Sequence, residues 1–254
     1  MQLNVVCTTF QDLNVFLKNN LNVILDILKS GNSFYLIDTS GCENYDDRIF
    51  SILEDFSDSF FYVATISKSK QAAGRNLALD LYLVDGYVWF VDSDDIIYSP
   101  SLPISGDSDI VINDYIFNSV RRRDKKVNGS KSFGVDVYLF LLLTNRIPNS
   151  CWCYFYSVKF LKGAKIKFEN IFFEDLIFNA SFFSRAKSAF YTGETVYEYI
   201  YNSNSTSHNL NISKRFQRIC SGCKASIFLF KNLKGMKRIF YPIVSFIYHA
   251  LWCN

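Results

Sequence analysis

Three carboxylates stand within four residues directly after an apolar run. Tyr87 to Val91 is a continuous β-branched and aromatic run, and Asp92-Ser93-Asp94-Asp95 follows it. Such a run is typical of a strand buried on both faces of an α/β sheet, and ligands bind at the carboxyl end of such strands. Carboxylates this close need a cation or strong donors, and hard oxygen ligands favour Mg or Mn. The pattern predicts a divalent metal that grips a diphosphate; the alternative is a solvated acidic turn.

A second acidic pair, Glu174-Asp175, lies in the first turn of a predicted helix. One apolar face of that helix recurs at Phe173, Leu176, Ala180 and Phe183. Carboxylates at this position either stabilise the helix dipole or supply a general base, and the sequence alone leaves both open.

Arg75 lies in the early turns of a helix predicted from Lys68. Its planar guanidinium is suited to a phosphate or to a buried carboxylate, which it binds with two donors at once. The alternative is an ordinary solvated arginine. The apolar face of this helix is predicted to comprise Ala73, Leu77, Leu81 and Val84.

Strands and helices alternate along the chain up to the acidic run. Apolar runs predict strands at Leu3–Val6, Ser33–Ile37 and Phe60–Ile66, and helical periodicity predicts helices over Leu13–Leu28 and Ile49–Phe56. Further on, we expect strands at Asp109–Ile112 and Trp152–Phe155, an apolar run at Val135–Leu143 and a short helix at Val158–Leu161. The basic run Arg121–Lys126 is expected to be a solvated hairpin or loop, with a phosphate contact as the alternative. This alternation predicts an α/β fold with a mainly parallel, doubly wound sheet.

Charge is distributed unevenly along the 254 residues. After Glu198 there is no Asp or Glu, and eight Lys or Arg follow, so the first 198 residues carry 19 basic and 24 acidic side chains. An acidic body with a basic tail is expected to bind metal in the body and an anionic partner with the tail. Seven scattered cysteines, an odd number, indicate reduced thiols and a cytoplasmic protein. Cys220-x-x-Cys223 lacks the second ligand pair of a zinc site.

Three blocks of the chain, in order, resemble the family 2 glycosyltransferases, the nucleotide-diphospho-sugar transferases of the GT-A fold. The resemblance covers about residues 2 to 207, and the blocks are Ala72-Ala73-Gly74-Arg75-Asn76 with Gly86 to Asp95, Phe173-Glu174-Asp175 with Phe178, and Tyr197 to Tyr199 with Asn204-Ser205-Thr206-Ser207. Two family patterns differ here. Cys7-Thr8-Thr9-Phe10-Gln11 stands where the family reads P-x-Y-N, and only Asp38 and Ser40 match its D-D-G-S.

The resemblance implies an inverting transfer, with Asp175 as the base that takes the acceptor proton and Glu174 beside it. Asp95, assisted by Asp94, would hold the Mn or Mg ion. The nucleotide-sugar, with UDP the expected nucleotide, would be bound by Thr8, Phe10, Asp38, Arg75, Asp92 and Asp94, and Trp152 would contact the acceptor. No nucleic acid partner is expected.

The predicted organisation is a GT-A catalytic domain over residues 1–208 and a basic, apolar helical extension over residues 209–254. The extension ends in a mostly apolar segment, Ile239 to Cys253, which is too short to span a bilayer comfortably. It either packs on the catalytic domain or lies on an anionic inner-leaflet surface. The second option suits a lipid-diphosphate-linked saccharide acceptor and a role in bacterial surface polysaccharide or O-antigen assembly.

Two other functions remain open. A sugar nucleotidyltransferase shares the α/β fold and an acidic metal site, but it normally has a Gly-rich loop after the first strand, and Val5 to Gln11 contains no Gly. A catalytically inactive module that binds nucleotide-sugar would keep the fold without the chemistry.

Overall fold

We describe a computed structural model of the chain. It describes residues 2–10, 12–41, 47–65, 69–100, 107–117, 120–122, 132–133, 148–171, 174–201, 212–232 and 243. Several segments singled out above lie outside these residues, namely Gln11, Ile66, Arg123–Lys126, Val135–Leu143, Phe173, Asn204–Ser207 and, apart from Ile243, the segment Ile239–Cys253.

One mixed sheet organises the described part of the chain. Its strands are β1 Leu3–Thr9, β2 Ser33–Asp38, β3 Phe60–Ala64, β4 Tyr87–Asp92, β5 Ile96–Ile97, β6 Ile110–Phe117, β7 Val120–Arg122, β8 Ser132–Phe133, β9 Tyr154–Ser157 and β10 Ala189–Tyr199. Their order is β3-β2-β1-β4-β9-β6-β10-β5, with β7 beside β6 and β8 beside β10. The helices are α1 Leu13–Lys29, α2 Asp47–Leu53, α3 Gln71–Leu81, α4 Val158–Gly163, α5 Glu174–Phe183 and α6 Ile212–Asn232. Short 3-10 turns occupy Glu54–Phe56 and Cys151–Cys153.

The predicted parallel sheet is confirmed for its first half, where β3, β2, β1 and β4 all run parallel. The second half is mixed, because β9 runs antiparallel between β4 and β6. The predicted strand at Trp152–Phe155 is displaced: Cys151–Cys153 form the 3-10 turn and the strand begins at Tyr154. Since β9 runs against β4, this turn lies at the edge where β4 ends.

Most of the apolar face predicted for α3 is wrong, although Leu77 is partly buried against the core. Ala73, Leu81 and Val84 are exposed, and the buried side of the helix comprises Ala72, Gly74, Arg75, Ala78 and Leu79. Gly74 gives the physical reason. A methyl group at Gly74 would lie 2.9 Å from Thr39 Cγ2 and 3.0 Å from Thr8 Cγ2, so the helix approaches β1 and β2 where only hydrogen fits. This contact turns the next residue, Arg75, inward.

Replacing Gly74 by Ala should therefore destabilise the fold. Overpacking is expected to cost about 1–3 kcal/mol, which exceeds the roughly 1 kcal/mol that Ala gains over Gly in a helix. The measurement is urea unfolding. Gly163→Ala is the matched control, since a methyl group at Gly163, also within a helix, meets nothing within 4 Å. Equal stability of the Gly74→Ala variant and the wild type would contradict the close approach of α3.

Candidate active site

Arg75 joins the two acidic blocks found in the sequence. Its Nη2 donates to Asp92 Oδ1 at 2.6 Å, and its Nη1 donates to Asp175 Oδ1 at 2.7 Å and to Glu174 Oε1 at 3.3 Å. The Arg75 side chain is 1% exposed, whereas the three carboxylate side chains are 19–22% exposed. One buried cation thus holds three carboxylates at the edge of an open surface. The structure brings these four predicted site residues together, and their roles remain predictions.

Negative charge exceeds positive charge in this cluster, and the carboxyl pKa values reflect it. Burial, followed by the effect of Asp175, raises the pKa of Glu174 to about 7, although Arg75 opposes the shift. Burial also raises the pKa of Asp92 to about 6, again against the influence of Arg75. The cluster therefore favours the uptake of a proton or a cation near neutral pH.

The acidic turn after β4 alternates between residues that face the open surface and residues that face the protein. Asp92 is partly exposed and Asp94 is exposed, whereas Ser93 and Asp95 are buried. Asp92 Oδ1 also accepts from Gln71 Nε2 at 2.7 Å, and Ser93 Oγ donates to Asp12 Oδ2 at 2.5 Å. Two of the three aspartates are thus available to a ligand.

Asp95 does not have the contacts expected of a metal ligand. Both of its carboxylate oxygens accept hydrogen bonds from the protein, one from the Tyr197 hydroxyl and one from the Ile200 amide at 2.7 Å. Its side chain is buried at 2% exposure, and this burial raises its pKa to about 8. The geometry points away from the predicted metal role of Asp95 and leaves Asp94 as the exposed candidate.

Helix α1 and its N-cap position contribute two residues that the sequence analysis missed. Asp12 accepts from Ser93, as described above, and also from the Phe10 amide at 2.8 Å. Asn20 is fully buried; its Nδ2 donates to the carbonyl of Asp95 at 3.1 Å and its Oδ1 accepts from the Ile97 amide at 3.0 Å. A polar residue within the apolar stripe of α1 was the available signal for Asn20. For Asp12 the sequence offers no comparable signal, because nothing about Ser93 indicates which residue it contacts.

The residues predicted to bind the nucleotide lie on neighbouring strand ends. Thr8 on β1 is paired in register with Asp92, and Thr9 with Asp38. The Thr8 hydroxyl is buried and has no hydrogen-bond partner among the described residues. Asp38 is buried and accepts from the Ser40 amide at 2.8 Å. Phe10 is 39% exposed beyond the end of β1. The structure places Thr8 and Asp38 at neighbouring strand ends, and the roles of all three residues remain predictions.

Trp152, predicted to contact an acceptor, is 5% exposed. Its ring stacks on Tyr197 with centroids 4.5 Å apart and planes at 4°, and Tyr115 meets it edge-on at 5.0 Å. Its carbonyl accepts from Trp89 Nε1 at 2.5 Å. Because its ring packs against Tyr197 and Tyr115 and its carbonyl accepts from Trp89, Trp152 supports the site from within.

The donor set fits a divalent ion that shares its ligands with a phosphate. Asp94 and Asp92 offer hard carboxylate oxygens at an accessible edge. In the described part of the chain, no group of three His, Cys, Asp or Glu side chains is arranged to hold a metal alone. Mg²⁺ and similar ions are commonly held by one or two carboxylates together with substrate phosphates, so an incomplete protein shell is what this type of site requires.

Solved structures share this architecture. S. aureus TarS 1–349 in complex with UDP-GlcNAc has a TM-score of 0.72 at 14% identity, over 99% of this chain and 73% of that one. Mannosyltransferase PcManGT from Pyrobaculum calidifontis, in complex with GDP-Man and Mn²⁺, has a TM-score of 0.61 at 12% identity, over 99% and 71%. GalNAc-T7 with UDP, GalNAc and Mn²⁺ has a TM-score of 0.56 at 9% identity, over 80% and 44%. The chain has the GT-A fold.

The predicted fold class is thereby confirmed. The sequence identities are too low for a substrate to be inferred from these structures. Neither a protein-family model nor a curated protein matches the sequence. The GT-A sheet of this chain presents Asp92, Asp94, Glu174 and Asp175 at the carboxyl edge of β4, where ligands bind in open α/β sheets.

The raised carboxyl pKa values predict that stability falls with rising pH. Asp92, Glu174 and Asp95 have pKa values of about 6, 7 and 8 in the folded chain, against about 4 when unfolded. The folded state therefore binds more protons across this interval. The stability these groups contribute is fully present below about pH 4 and is lost as pH rises through 6 to 8.

Thermal unfolding in chelator should accordingly give a higher Tm at pH 5.5 than at pH 8.5, and Glu174→Gln should reduce this difference. Glu54→Gln, at an exposed glutamate, is the control and should leave it unchanged. The same pH dependence in Glu174→Gln and the wild type would show that Glu174 is not a source of the effect.

Proposed function

We propose that the chain is an inverting glycosyltransferase of the family 2 type, which transfers a sugar from a nucleotide-diphospho-sugar to a saccharide acceptor. The observation that carries this proposal is the binding of Asp92, Glu174 and Asp175 by the single buried Arg75, at the ligand-binding edge of a GT-A sheet. Solved proteins of this fold bind UDP-GlcNAc and GDP-Man. We take UDP as the expected nucleotide.

At the donor end, Thr8, Phe10 and Asp38 would receive the base and ribose, and Asp92 and Asp94 would face the diphosphate. A divalent ion, Mn or Mg, bound there would neutralise the charge that develops on the leaving nucleoside diphosphate. Asp94 is our candidate ligand because it is exposed, and Asp92 has a second oxygen, Oδ2, beyond the one bound by Arg75 and Gln71.

At the acceptor end, Asp175 would accept the proton of the attacking hydroxyl. Its Oδ1 is oriented by Arg75, and its Oδ2 accepts from the Cys151 amide at 3.2 Å. A carboxylate oxygen has two lone pairs, so each retains room for one more hydrogen bond. Glu174 lies on the same arginine and is the alternative base, since its pKa of about 7 suits proton transfer at neutral pH.

This arrangement differs from that of a hydrolase. A glycoside hydrolase uses two carboxylates on opposite sides of the bond, one of which protonates the leaving group. A nucleoside diphosphate leaves without that protonation, so one base and a site for positive charge suffice.

We also propose that helix α6 contacts an anionic membrane surface. Phe216, Ile219, Ile227 and Phe230 are 44–66% exposed, and their spacing places them on one face of the helix. The helix carries five Lys or Arg and no acidic residue, so a second copy would repel it whereas anionic lipid would attract it. It packs on the body through Phe228, whose ring lies 5.6 Å from Arg185 Cζ. No helix in the described ranges is both long and apolar enough to cross a membrane.

Such a surface suits a lipid-diphosphate-linked saccharide acceptor of the inner leaflet, as in bacterial surface polysaccharide or O-antigen synthesis. The protein would then act in the cytoplasm, at the membrane face. The acceptor would be confined to the surface that α6 contacts.

The transferase proposal is tested by nucleotide release. Incubation with a panel of UDP- and GDP-sugars plus Mn²⁺ or Mg²⁺ should release nucleoside diphosphate and saccharide product, and chelator should abolish this. A sugar nucleotidyltransferase would instead require pyrophosphate or a nucleoside triphosphate, and an inactive module would bind nucleotide-sugar without turnover. Asp175→Asn should lower kcat by about a hundredfold or more while UDP binding stays near that of the wild type.

Glu174→Gln is the matched control, because it alters the neighbouring carboxylate on the same arginine. It should retain more turnover than Asp175→Asn. If Asp175→Asn transferred sugar at the wild-type rate while Glu174→Gln did not, the base would be Glu174.

The membrane proposal predicts lipid binding that depends on the α6 face. Vesicles containing phosphatidylglycerol should bind the protein at low salt, and pure phosphatidylcholine vesicles should bind it weakly, since each basic residue near an anionic surface contributes about 1 kcal/mol. Replacing Ile219 and Ile227 by Gln should abolish co-sedimentation. Leu81→Gln with Val84→Gln removes two exposed apolar side chains at and just after the C-terminal end of α3, and should leave binding intact. A wild-type protein that ignores anionic vesicles would refute the proposal.

A further inference from the structure

We propose that Asp95 is a buried anchor of the acidic turn, not a ligand of the metal, and that Tyr197 and Asn20 hold it so that Asp92 and Asp94 face the donor. The inference rests on the proposed function, because it assigns the division of labour within that donor site. It concerns three side chains that lie behind the turn.

Tyr197 ties the two ends of the turn together. Its hydroxyl donates to Asp95 Oδ2 and accepts from the Asp92 amide at 3.3 Å. One phenol oxygen thus contacts the first and the last residue of Asp92-Ser93-Asp94-Asp95. The other Asp95 oxygen accepts from the Ile200 amide at 2.7 Å, just after β10.

Asn20 fixes the backbone of the same turn from the opposite side. Its side-chain amide bridges the Asp95 carbonyl and the Ile97 amide, at 3.1 Å and 3.0 Å. The residue is fully buried in α1, so its amide cannot exchange these partners for water.

Tyr197 is itself held by packing. Trp152 stacks on its ring, and the Tyr197 side chain is fully buried. A movement of the Tyr197 side chain that took its hydroxyl away from Asp95 would disrupt this stack. The position of the turn therefore follows from rigid elements, which is what a site needs in order to present ligands without reorganisation.

Two kinds of residue result. Ser93 and Asp95 bind Asp12, Tyr197 and Ile200, whereas Asp92 and Asp94 remain partly or fully exposed. A metal ligand at Asp95 would have to give up two protein donors and leave a buried tyrosine hydroxyl without its acceptor.

The test is calorimetric binding of Mn²⁺ with UDP to the full chain, a readout independent of turnover. Asp94→Asn should weaken the Mn²⁺-dependent binding by about tenfold or more. Asp95→Asn keeps the shape: its Oδ1 can accept from the Ile200 amide and its Nδ2 can donate to the Tyr197 oxygen, so it should bind within about threefold of the wild type. Tyr197→Phe removes the hydroxyl that ties the turn and should weaken binding by about tenfold.

Tyr98→Phe is the matched control. The Tyr98 hydroxyl donates to Glu198, the residue after Tyr197, at 2.5 Å. The substitution therefore removes a hydrogen bond between a tyrosine and a carboxylate without changing a residue of the acidic turn. It should bind as the wild type does. A thermal scan of each variant separates lost binding from lost folding.

Two results would overturn the inference. In the first, Asp95→Asn loses as much Mn²⁺-dependent affinity as Asp94→Asn, which would make Asp95 a ligand. In the second, Tyr197→Phe binds Mn²⁺ and UDP like the wild type. A wild-type chain that binds no UDP with Mn²⁺ would instead refute the proposed function, so the two failures are distinguishable.

Discussion

The structure of the site depends on the burial of one arginine. A guanidinium does not lose its proton, so at 1% exposure Arg75 is stable only with carboxylates around it. Its partners are Asp92 on β4 and Glu174 and Asp175 on α5. They lie 17, 99 and 100 positions from Arg75 in the sequence. Because Gly74 lets α3 lie against β1 and β2, the arginine is directed to the sheet edge. Loss of any one partner would leave a buried charge less compensated.

Three carboxylates on one arginine leave a surplus of negative charge, and the surplus explains how a structural ion cluster can also be a functional one. In a purely structural cluster the charges would balance. Here the raised pKa values of Asp92 and Glu174 show that the ionised forms are costly, so the cluster gains by binding a proton or a cation. In the proposed reaction the surplus negative charge has two effects. It attracts the metal that binds with the diphosphate at the donor end, and it favours uptake of the proton from the acceptor hydroxyl.

The sequence was sufficient for the local structure and for the strand-end position of the acids. The buried run Tyr87–Val91 and the helical start at Glu174 both lie where periodicity predicts them. It could not predict that β9 runs antiparallel, because strand direction depends on pairing across the whole sheet. The buried face of α3 differs from the predicted one because Gly74 lets the helix pack closely on β1 and β2, a contact that apolar spacing along the helix does not encode. Asp12 and Asn20 contact the turn from 75 or more residues away, and no local pattern encodes such a contact.

The alternation within the acidic turn gives a physical reason for the spacing of its aspartates. In this turn Asp92 and Asp94 share the open side, and Ser93 and Asp95 share the protein side. A ligand pair of this kind needs anchors in the intervening positions, and the anchors must be short and polar to bind backbone and tyrosine donors. Aspartate as the second anchor supplies two acceptor oxygens, which the Tyr197 hydroxyl and the Ile200 amide occupy. These two donors offset the cost of burying a polar group behind the exposed aspartates.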